Sequence, residues 1–314
     1  MHNLKGGLEV SAEIDLAIIG GGPAGLSAAI QGARLGLETM VLESKSIGGK
    51  VLDAQIIEDY PGFVKISSMK LIGVMRKQVF KCGAKIKELE KVLKIDTFHG
   101  KKRIVSSKDM YFAKTIIIAT GGKYKKLGVP GEEKYTGRYV FYSAASSGSF
   151  FKRKRVAVIG NGDIATLNAL MLTNSADAVY LICSDNKLRI DAHLRRKIAR
   201  SNINILWNTS VTSINGDASV RKITLVNKIT NEIRELEVDG VFINLGLEPE
   251  SNIVRQIGVT IDNNKYIVVD KKQRTNVPGI FAAGYVTNGI LKIAIAVGEG
   301  AIAAISAYEY LKKM

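Results

Sequence analysis

A glycine-rich turn set between an apolar strand and a helix constrains this chain more than any other feature, and it occurs twice. The run Ile14-Asp-Leu-Ala-Ile-Ile19 leads directly into Gly20-Gly-Gly-Pro-Ala-Gly25. A helical stretch, Leu26 to Leu35, follows and stops at Gly36. A second strand, Glu38-Thr-Met-Val-Leu-Glu43, ends on an acid. Gly20, Gly22 and Gly25 fit G-x-G-x-x-G in the strand–turn–helix context that gives the motif its meaning. Side chains at those positions would hold the backbone N–H groups away from a pyrophosphate. The helix N-terminus adds favourable partial positive charge, and Glu43 stands where it can accept hydrogen bonds from a ribose.

The pattern returns about 140 residues later. Arg155-Val-Ala-Val-Ile159 reads as a strand, Gly160-Asn-Gly-Asp-Ile-Ala165 as the turn, and Thr166 to Asn174 as a helix. Ala178-Val-Tyr-Leu-Ile-Cys183 reads as the next strand. Gly160, Gly162, Asp163 and Ala165 make the second cradle, and Asp185 is its acid. An acid at that place favours an unphosphorylated ribose, so Asp185 permits NAD and argues against NADP. A vestigial domain kept for packing is the competing reading. Other apolar strands are Lys114 to Ala119, Gly240 to Gly246 and Gly279 to Gly284. Arg103 to Tyr111 and Lys222 to Glu237 read as hairpin pieces. The fold class is α/β, and 314 residues leave room for two domains.

Composition closes off other classes. Two cysteines far apart, Cys82 and Cys183, exclude a disulfide scaffold, and three histidines show no metal-ligand spacing. Cys82 and Cys183 read as buried structural thiols. The N-terminus lacks a signal-like apolar stretch, and no uninterrupted apolar run of about 18 residues occurs. A cytoplasmic protein with no membrane partner is expected. The formal charge is +16, carried in short runs such as Lys152-Arg-Lys-Arg155 and Arg195-Arg-Lys197. Without an RNA-binding aromatic motif, that charge reads as a diffuse surface or as steering of an acidic protein, and not as a nucleic-acid footprint.

Several further segments are specific when taken together. They are Ile47-Gly-Gly49, Glu58-Asp-Tyr-Pro-Gly-Phe63, Ile118-Ala-Thr-Gly-Gly122, Leu127-Gly-Val-Pro-Gly-Glu-Glu-Lys-Tyr135 and Gly284 to Ala301. With the first glycine turn they make the chain resemble the low-molecular-weight thioredoxin reductase family, over nearly its whole length. The resemblance implies two Rossmann-like domains of the FAD/NAD-binding, three-layer ββα type, the second inserted in the first. Residues 1–122 and 247–314 would form a discontinuous FAD-binding domain, and 123–246 the NAD(P)-binding-like insert. It also implies a homodimer. The FAD site would use Gly20, Gly22, Pro23, Ala24, Glu43, Gly49, Asp59, Thr120, Gly121, Gly284, Tyr285, Lys292 and Ile293. A C-terminal helix starting near Lys292 would point its N-terminus at the flavin.

The departures from the family fall on the chemistry. Its Tyr-Cys-x-x-Cys-Asp-Gly reads here Tyr142-Ser-Ala-Ala-Ser-Ser-Gly148, with Ser143 and Ser146 in the cysteine places. Thiol–disulfide exchange needs a thiolate and a sulfur leaving group, and a hydroxyl offers neither near neutral pH. The usual Asn is Asp59, and the Arg-Gln pair near the flavin is Leu291-Lys292. The family's His-Arg-Arg is Cys183-Ser184-Asp185, and its Gly-Asp is Gly284-Tyr285. That last change removes a charge-assisted hydrogen bond worth about 1.5–3 kcal/mol. The Tyr285 hydroxyl could replace the bond, or its bulk could obstruct. The expectation is an FAD-dependent oxidoreductase without its own dithiol, exchanging electrons directly with NADH, oxygen, a small disulfide or an acidic carrier such as ferredoxin, flavodoxin or a thioredoxin-like protein. Thioredoxin–disulfide reductase activity should be absent or weak. The alternative is a non-catalytic descendant with a structural or regulatory role.

Overall fold

The computed structural model describes residues 14–98, 101–144 and 148–314. The chain divides into two compact units, one made of Met1–Lys123 with Pro249–Met314 and the other of Tyr124–Glu248.

In the first unit, the strand Ile14–Ile19 lies between Thr39–Leu42 and Met110–Ile118, parallel to both. Lys85–Lys87 extends the sheet beyond Thr39–Leu42. The strand Met110–Ile118 changes character along its length. Its first half pairs antiparallel with Lys101–Ser106, which in turn pairs with Val92–Phe98. Its second half pairs parallel with Ile280–Ala282. The burial pattern follows this change. It alternates through the meander half, where one face meets water, then becomes continuous over Thr115–Ile118, where the strand is covered on both faces. One face of the sheet packs under the helices Pro23–Arg34, Ser68–Lys81 and Ile293–Leu311. A second apolar cluster fills the other face.

In the second unit, five parallel strands run in the order Val140–Phe141, Gly240–Ile243, Arg155–Ile159, Ala178–Ile182, Asn204–Leu206. The helix Asp163–Leu172 and Ile198 of the helix Ala192–Ala199 cover one face. A three-stranded antiparallel sheet, Thr209–Gly216, Val220–Asn227 and Ile233–Glu237, supplies the other. This is the layered arrangement expected from the sequence.

Both glycine-turn helices begin three residues earlier than their apolar periodicity suggests, at Pro23 and Asp163. The last residue of each motif already lies in the first helical turn. The helix Ile293–Leu311 is long and apolar enough to cross a membrane by length and composition alone. Its Ala303, Ala304 and Ala307 are nevertheless fully buried in the first unit. Cys82 also departs from expectation: it caps the helix Ser68–Lys81 and is half-buried, whereas Cys183 is buried.

Candidate functional site

The first glycine turn is held from three sides. Gly20 has φ +112, and a Cβ there would lie 2.3 Å from the carbonyl oxygen of Ala119. A Cβ on Gly25 would lie 1.9 Å from the Gly20 oxygen. Gly22 differs: its φ is −77, and nothing lies within 4 Å of where its Cβ would be. Gly22 caps a helix whose first residue, Pro23, has no N–H to leave unsatisfied. The other N–H groups of the first helical turn have no carbonyl partner within the helix itself. Gly49 closes one side of the turn, its Cβ position being 3.3 Å from the Gly22 Cα. Glu43 holds the turn through Oε2, which accepts from the Gly21 N–H at 2.7 Å, while Oε1 accepts from the Lys45 N–H at 2.8 Å.

Ala24 is where the rest of the site converges. Gly284 (φ +84) approaches so closely that a Cβ would sit 2.9 Å from the Ala24 Cβ, and one on Gly300 would sit 2.1 Å from the Ala24 oxygen. The helix Ile293–Leu311 therefore reaches the cradle, and Ser27 Oγ donates to its Val297 oxygen at 2.7 Å. At the start of this helix the Lys292 ammonium pairs with Asp59 at 2.9 Å. Two of the departures noted in the sequence thus meet in one ion pair. Ile293 packs against the small cluster of Ile57, Ile66 and Leu71. Thr120 Oγ1 donates to the Glu250 oxygen, and Gly121 accepts from the Glu250 N–H.

Tyr285 turns its ring edge-on to Tyr266, with the two hydroxyls 3.4 Å apart. Burial pushes its phenol well above the ordinary range, and Tyr266 adds to the effect. The carboxylate beside Gly284 comes instead from Glu299, a residue the motif reading passed over. Its Oε2 accepts from the Gly284 N–H at 2.7 Å and from Thr287 Oγ1, and its Oε1 accepts from Asn288. Burial raises the Glu299 carboxyl, against the lowering effect of those donors. Glu299 was detectable in principle, as the lone charge between Lys292 and Glu309 in a helix of small and apolar residues.

The second turn repeats the first. A Cβ on Gly160 (φ +147) would lie 2.3 Å from the Asn244 oxygen, and nothing lies within 4 Å of one on Gly162. Asp163 opens the helix, and Ala165 is fully buried beneath the turn. Asp185 Oδ2 accepts from Asn161 Nδ2 at 2.7 Å and from the Arg189 guanidinium at 2.8 Å. Neither Asn161 nor Arg189 was singled out from the sequence. Cys183 Sγ donates to the Gly160 oxygen at 3.5 Å, and burial pushes its thiol up to about 12.

Ser143 lies in the second unit and is buried. Its neighbours are tied down on both sides. Asn168 Oδ1 accepts from the Ala144 N–H, Asn168 Nδ2 donates to Asn244 Oδ1, and Asn244 Nδ2 donates to the Tyr142 oxygen. Tyr142 itself donates to the buried Glu132 at 2.6 Å, and burial pushes its phenol up to about 12. Ser146 lies outside the described residues. The two cysteines fall one in each unit and are unpaired, so no dithiol stands in for the missing pair.

The model of the pyridine nucleotide-disulphide oxidoreductase family matches residues 14–300. A thioredoxin reductase of Bacillus subtilis is 37% identical over 96% of this chain and 95% of its own. A 34.2 kDa protein in a rubredoxin operon of Clostridium pasteurianum is 33% identical over 95% of this chain and 97% of its own. The crystal structure of Lactococcus lactis thioredoxin reductase superposes with a TM-score of 0.92 at 35% identity, covering 96% of this chain and all of that one. The chain therefore belongs to the pyridine nucleotide-disulphide oxidoreductase family, as a thioredoxin reductase-like flavoprotein oxidoreductase that lacks the redox dithiol.

Proposed function

We propose that this chain is an FAD-dependent oxidoreductase that exchanges electrons directly between its flavin and an external donor or acceptor. The observation that carries the reading is the pairing of an open cradle at Gly22 with a serine at position 143. The first-turn N–H groups after Gly22 would hold the pyrophosphate, and Glu43 would accept from the adenosine ribose. The Asp59–Lys292 pair and Ile293 would flank the far half of the dinucleotide. Glu299 fixes the Gly284 N–H from behind, which supports the fit despite the carboxylate lost at Tyr285. Bound FAD supplies a ring that takes up and releases electrons singly or as hydride. No thiolate here can relay those electrons to a disulfide. Cys183 holds its proton in the core, and Cys82 has no partner sulfur in its own unit.

NADH is the favoured nicotinamide donor, on the strength of Asp185. A protein carrier is the favoured acceptor, and one relative's place in a rubredoxin operon supports it. The exposed basic residues Arg195, Arg196 and Lys197 would steer an acidic carrier. A homodimer is proposed through the helix Ile293–Leu311, which leaves Ile295, Ile302 and Ile305 between 37% and 43% exposed.

The absorption spectrum of the purified protein, with and without added FAD, tests the reading. A yellow protein bleached anaerobically by NADH or a reduced carrier, and inactive toward thioredoxin, is expected. A protein that takes up no FAD overturns it. Flavin uptake without turnover with any donor–acceptor pair would favour a regulatory descendant.

A further inference from the structure

The helix Ser68–Lys81 turns to solvent a face that its packing does not explain. Its Leu71, Ile72, Met75 and Val79 are buried in the first unit. Outward, at the helical spacing i, i+4, i+7 and i+11, stand Lys70, Val74, Lys77 and Lys81, all exposed. Met69 and Phe80 lie on the adjoining stripe, and Phe63 and Val64 stand in the segment that leads into the helix. All four are exposed, Val64 by 95% and Met69 by 71%. Single exposed apolar side chains are ordinary, but a run of them marks a contact surface. The same stretch carries one sign of charge. From Pro61 to Cys82 the sequence holds Lys65, Lys70, Arg76, Lys77 and Lys81 and no acid. Arg76 is occupied, pairing with Glu88 at 2.7 Å and lying over the Phe80 ring. Among the described residues, Lys65, Lys70, Lys77 and Lys81 have no carboxylate within ion-pair reach. The start of the helix is also tied to the far half of the dinucleotide site. Ile66 and Leu71 share one packed cluster with Ile57, Tyr60 and Ile293.

We propose that this face of the first unit is the seat on which an acidic electron-carrier protein docks. The carrier's carboxylates meet the lysine stripe, and its apolar surface meets Phe63, Val64 and Met69. The proposal rests on the reading that the flavin exchanges electrons with an external protein. Charge complementarity sets encounter and register, while the apolar end supplies the desolvated contact that holds the pair together. Arg195, Arg196 and Lys197 of the second unit act on approach and are not the seat. A second copy of this chain suits the face badly. A two-fold interface sets a patch against itself, and lysines would face lysines. A bilayer suits it badly too. A helix lying in the lipid boundary puts its continuous apolar face down, and here Ile72, Met75 and Val79 are already spent in the core.

The test reads binding by the full chain and needs no turnover. Ferredoxin, flavodoxin and rubredoxin of net negative charge are the probes, passed over the immobilised protein in surface plasmon resonance at several salt concentrations. Wild type should bind at least one of them, more weakly as salt rises. Lys70→Glu, Lys77→Glu and Lys81→Glu together should speed dissociation at least ~10-fold. Val64→Ser with Met69→Ser should speed it about threefold and leave the salt dependence as in wild type. The equal charge change Arg195→Glu, Arg196→Glu and Lys197→Glu should slow association and leave dissociation within about twofold. If circular dichroism shows the first triple variant unfolded, alanine at the same three lysines takes its place, with about threefold faster dissociation expected. Wild type that binds no probe overturns the proposal, as do two charge triples that change dissociation alike. So does a lysine triple whose effect is to separate copies of the chain in sedimentation, or to release wild-type binding to phosphatidylserine vesicles. The absorption spectrum tells the two readings apart. A protein that holds FAD yet binds no carrier refutes the docking seat alone, whereas one that takes up no FAD refutes the flavin reading.

Discussion

Replacing Gly300 with alanine should damage the molecule, although helix propensity predicts the opposite. Gly300 lies inside the helix Ile293–Leu311, where Gly→Ala gains about 0.8–1.0 kcal/mol from propensity alone. Its Cβ, however, would lie 2.1 Å from the Ala24 oxygen and 2.9 Å from the Ala24 carbonyl carbon. A carbon–oxygen contact needs about 3.3 Å, so the helix must retreat by roughly 1 Å. The obstacle is backbone in the first turn of the helix Pro23–Arg34, with no flexible side chain to swing away. Overpacking of this kind costs about 1–3 kcal/mol, and losing the Ser27–Val297 hydrogen bond costs about 1 more. The net expectation is about 1–3 kcal/mol of destabilisation. At about 2–4 °C per kcal/mol, that is a fall of roughly 5 °C in thermal midpoint. Gly73 serves as the control, since it lies inside the helix Ser68–Lys81 with nothing within 4 Å of its Cβ position. Gly73→Ala should raise the midpoint by about 2–4 °C. Thermal unfolding by circular dichroism reads both variants. If Gly300→Ala proves as stabilising as Gly73→Ala, the close contact at Ala24 is refuted.

Three further outcomes are expected. Glu43→Ala removes the acceptor of two backbone N–H groups as well as the proposed ribose contact. Its FAD dissociation constant should rise by about tenfold to a hundredfold, corresponding to about 1.4–2.7 kcal/mol, as measured by retained flavin fluorescence. The native protein should show one readily titrated thiol, that of half-buried Cys82, with Cys183 reacting with a chromogenic disulfide only after unfolding. Tyr142 has a folded pKa of about 12, raised above the ordinary phenol value. Its contribution to stability should be intact below about pH 10 and lost as pH climbs through about 12. In Tyr142→Phe the alkaline decline in stability should be shallower, and the tyrosinate absorbance titration should lose one residue's amplitude near pH 12.

The α/β class and the family were legible because their signals are local. Each glycine turn sits within one strand–turn–helix stretch, and the family segments are short and contiguous. What stayed illegible was made by distant residues meeting. Glu299 reaches Gly284 across 15 positions and Asn161 reaches Asp185 across 24, with no motif to mark either acceptance. The pairing of Lys292 with Asp59 spans 233 positions, so two departures noted separately in the sequence could not be read as one compensated change. The helix Ile293–Leu311 shows the converse, for its composition suits a lipid environment and its burial depends on Ala24 being at hand.

A sequence also cannot say which glycines of a nucleotide motif serve a nucleotide. Gly20, Gly25 and Gly160 are required by the fold itself. Their Cβ positions fall between 1.9 and 2.3 Å from a backbone oxygen, and two of them have positive φ. Any chain keeping this architecture would keep them, with or without a ligand, so their presence is no argument for binding. Gly22 and Gly162 are a different case. With φ of −77 and −105 and nothing within 4 Å of either Cβ position, the bare protein would accept alanine or serine at both. Glycine there even carries a conformational penalty in the unfolded chain that a side chain would relieve. Within these two nucleotide-type turns, the reading that explains the missing side chain is a ligand that must come close to the backbone. Gly22→Ala and Gly162→Ala should therefore leave the thermal midpoint of the ligand-free protein unchanged or slightly higher. Each should weaken its own nucleotide, FAD in the first unit and NADH in the second. A variant that loses stability without any change in binding would move its glycine into the packing class.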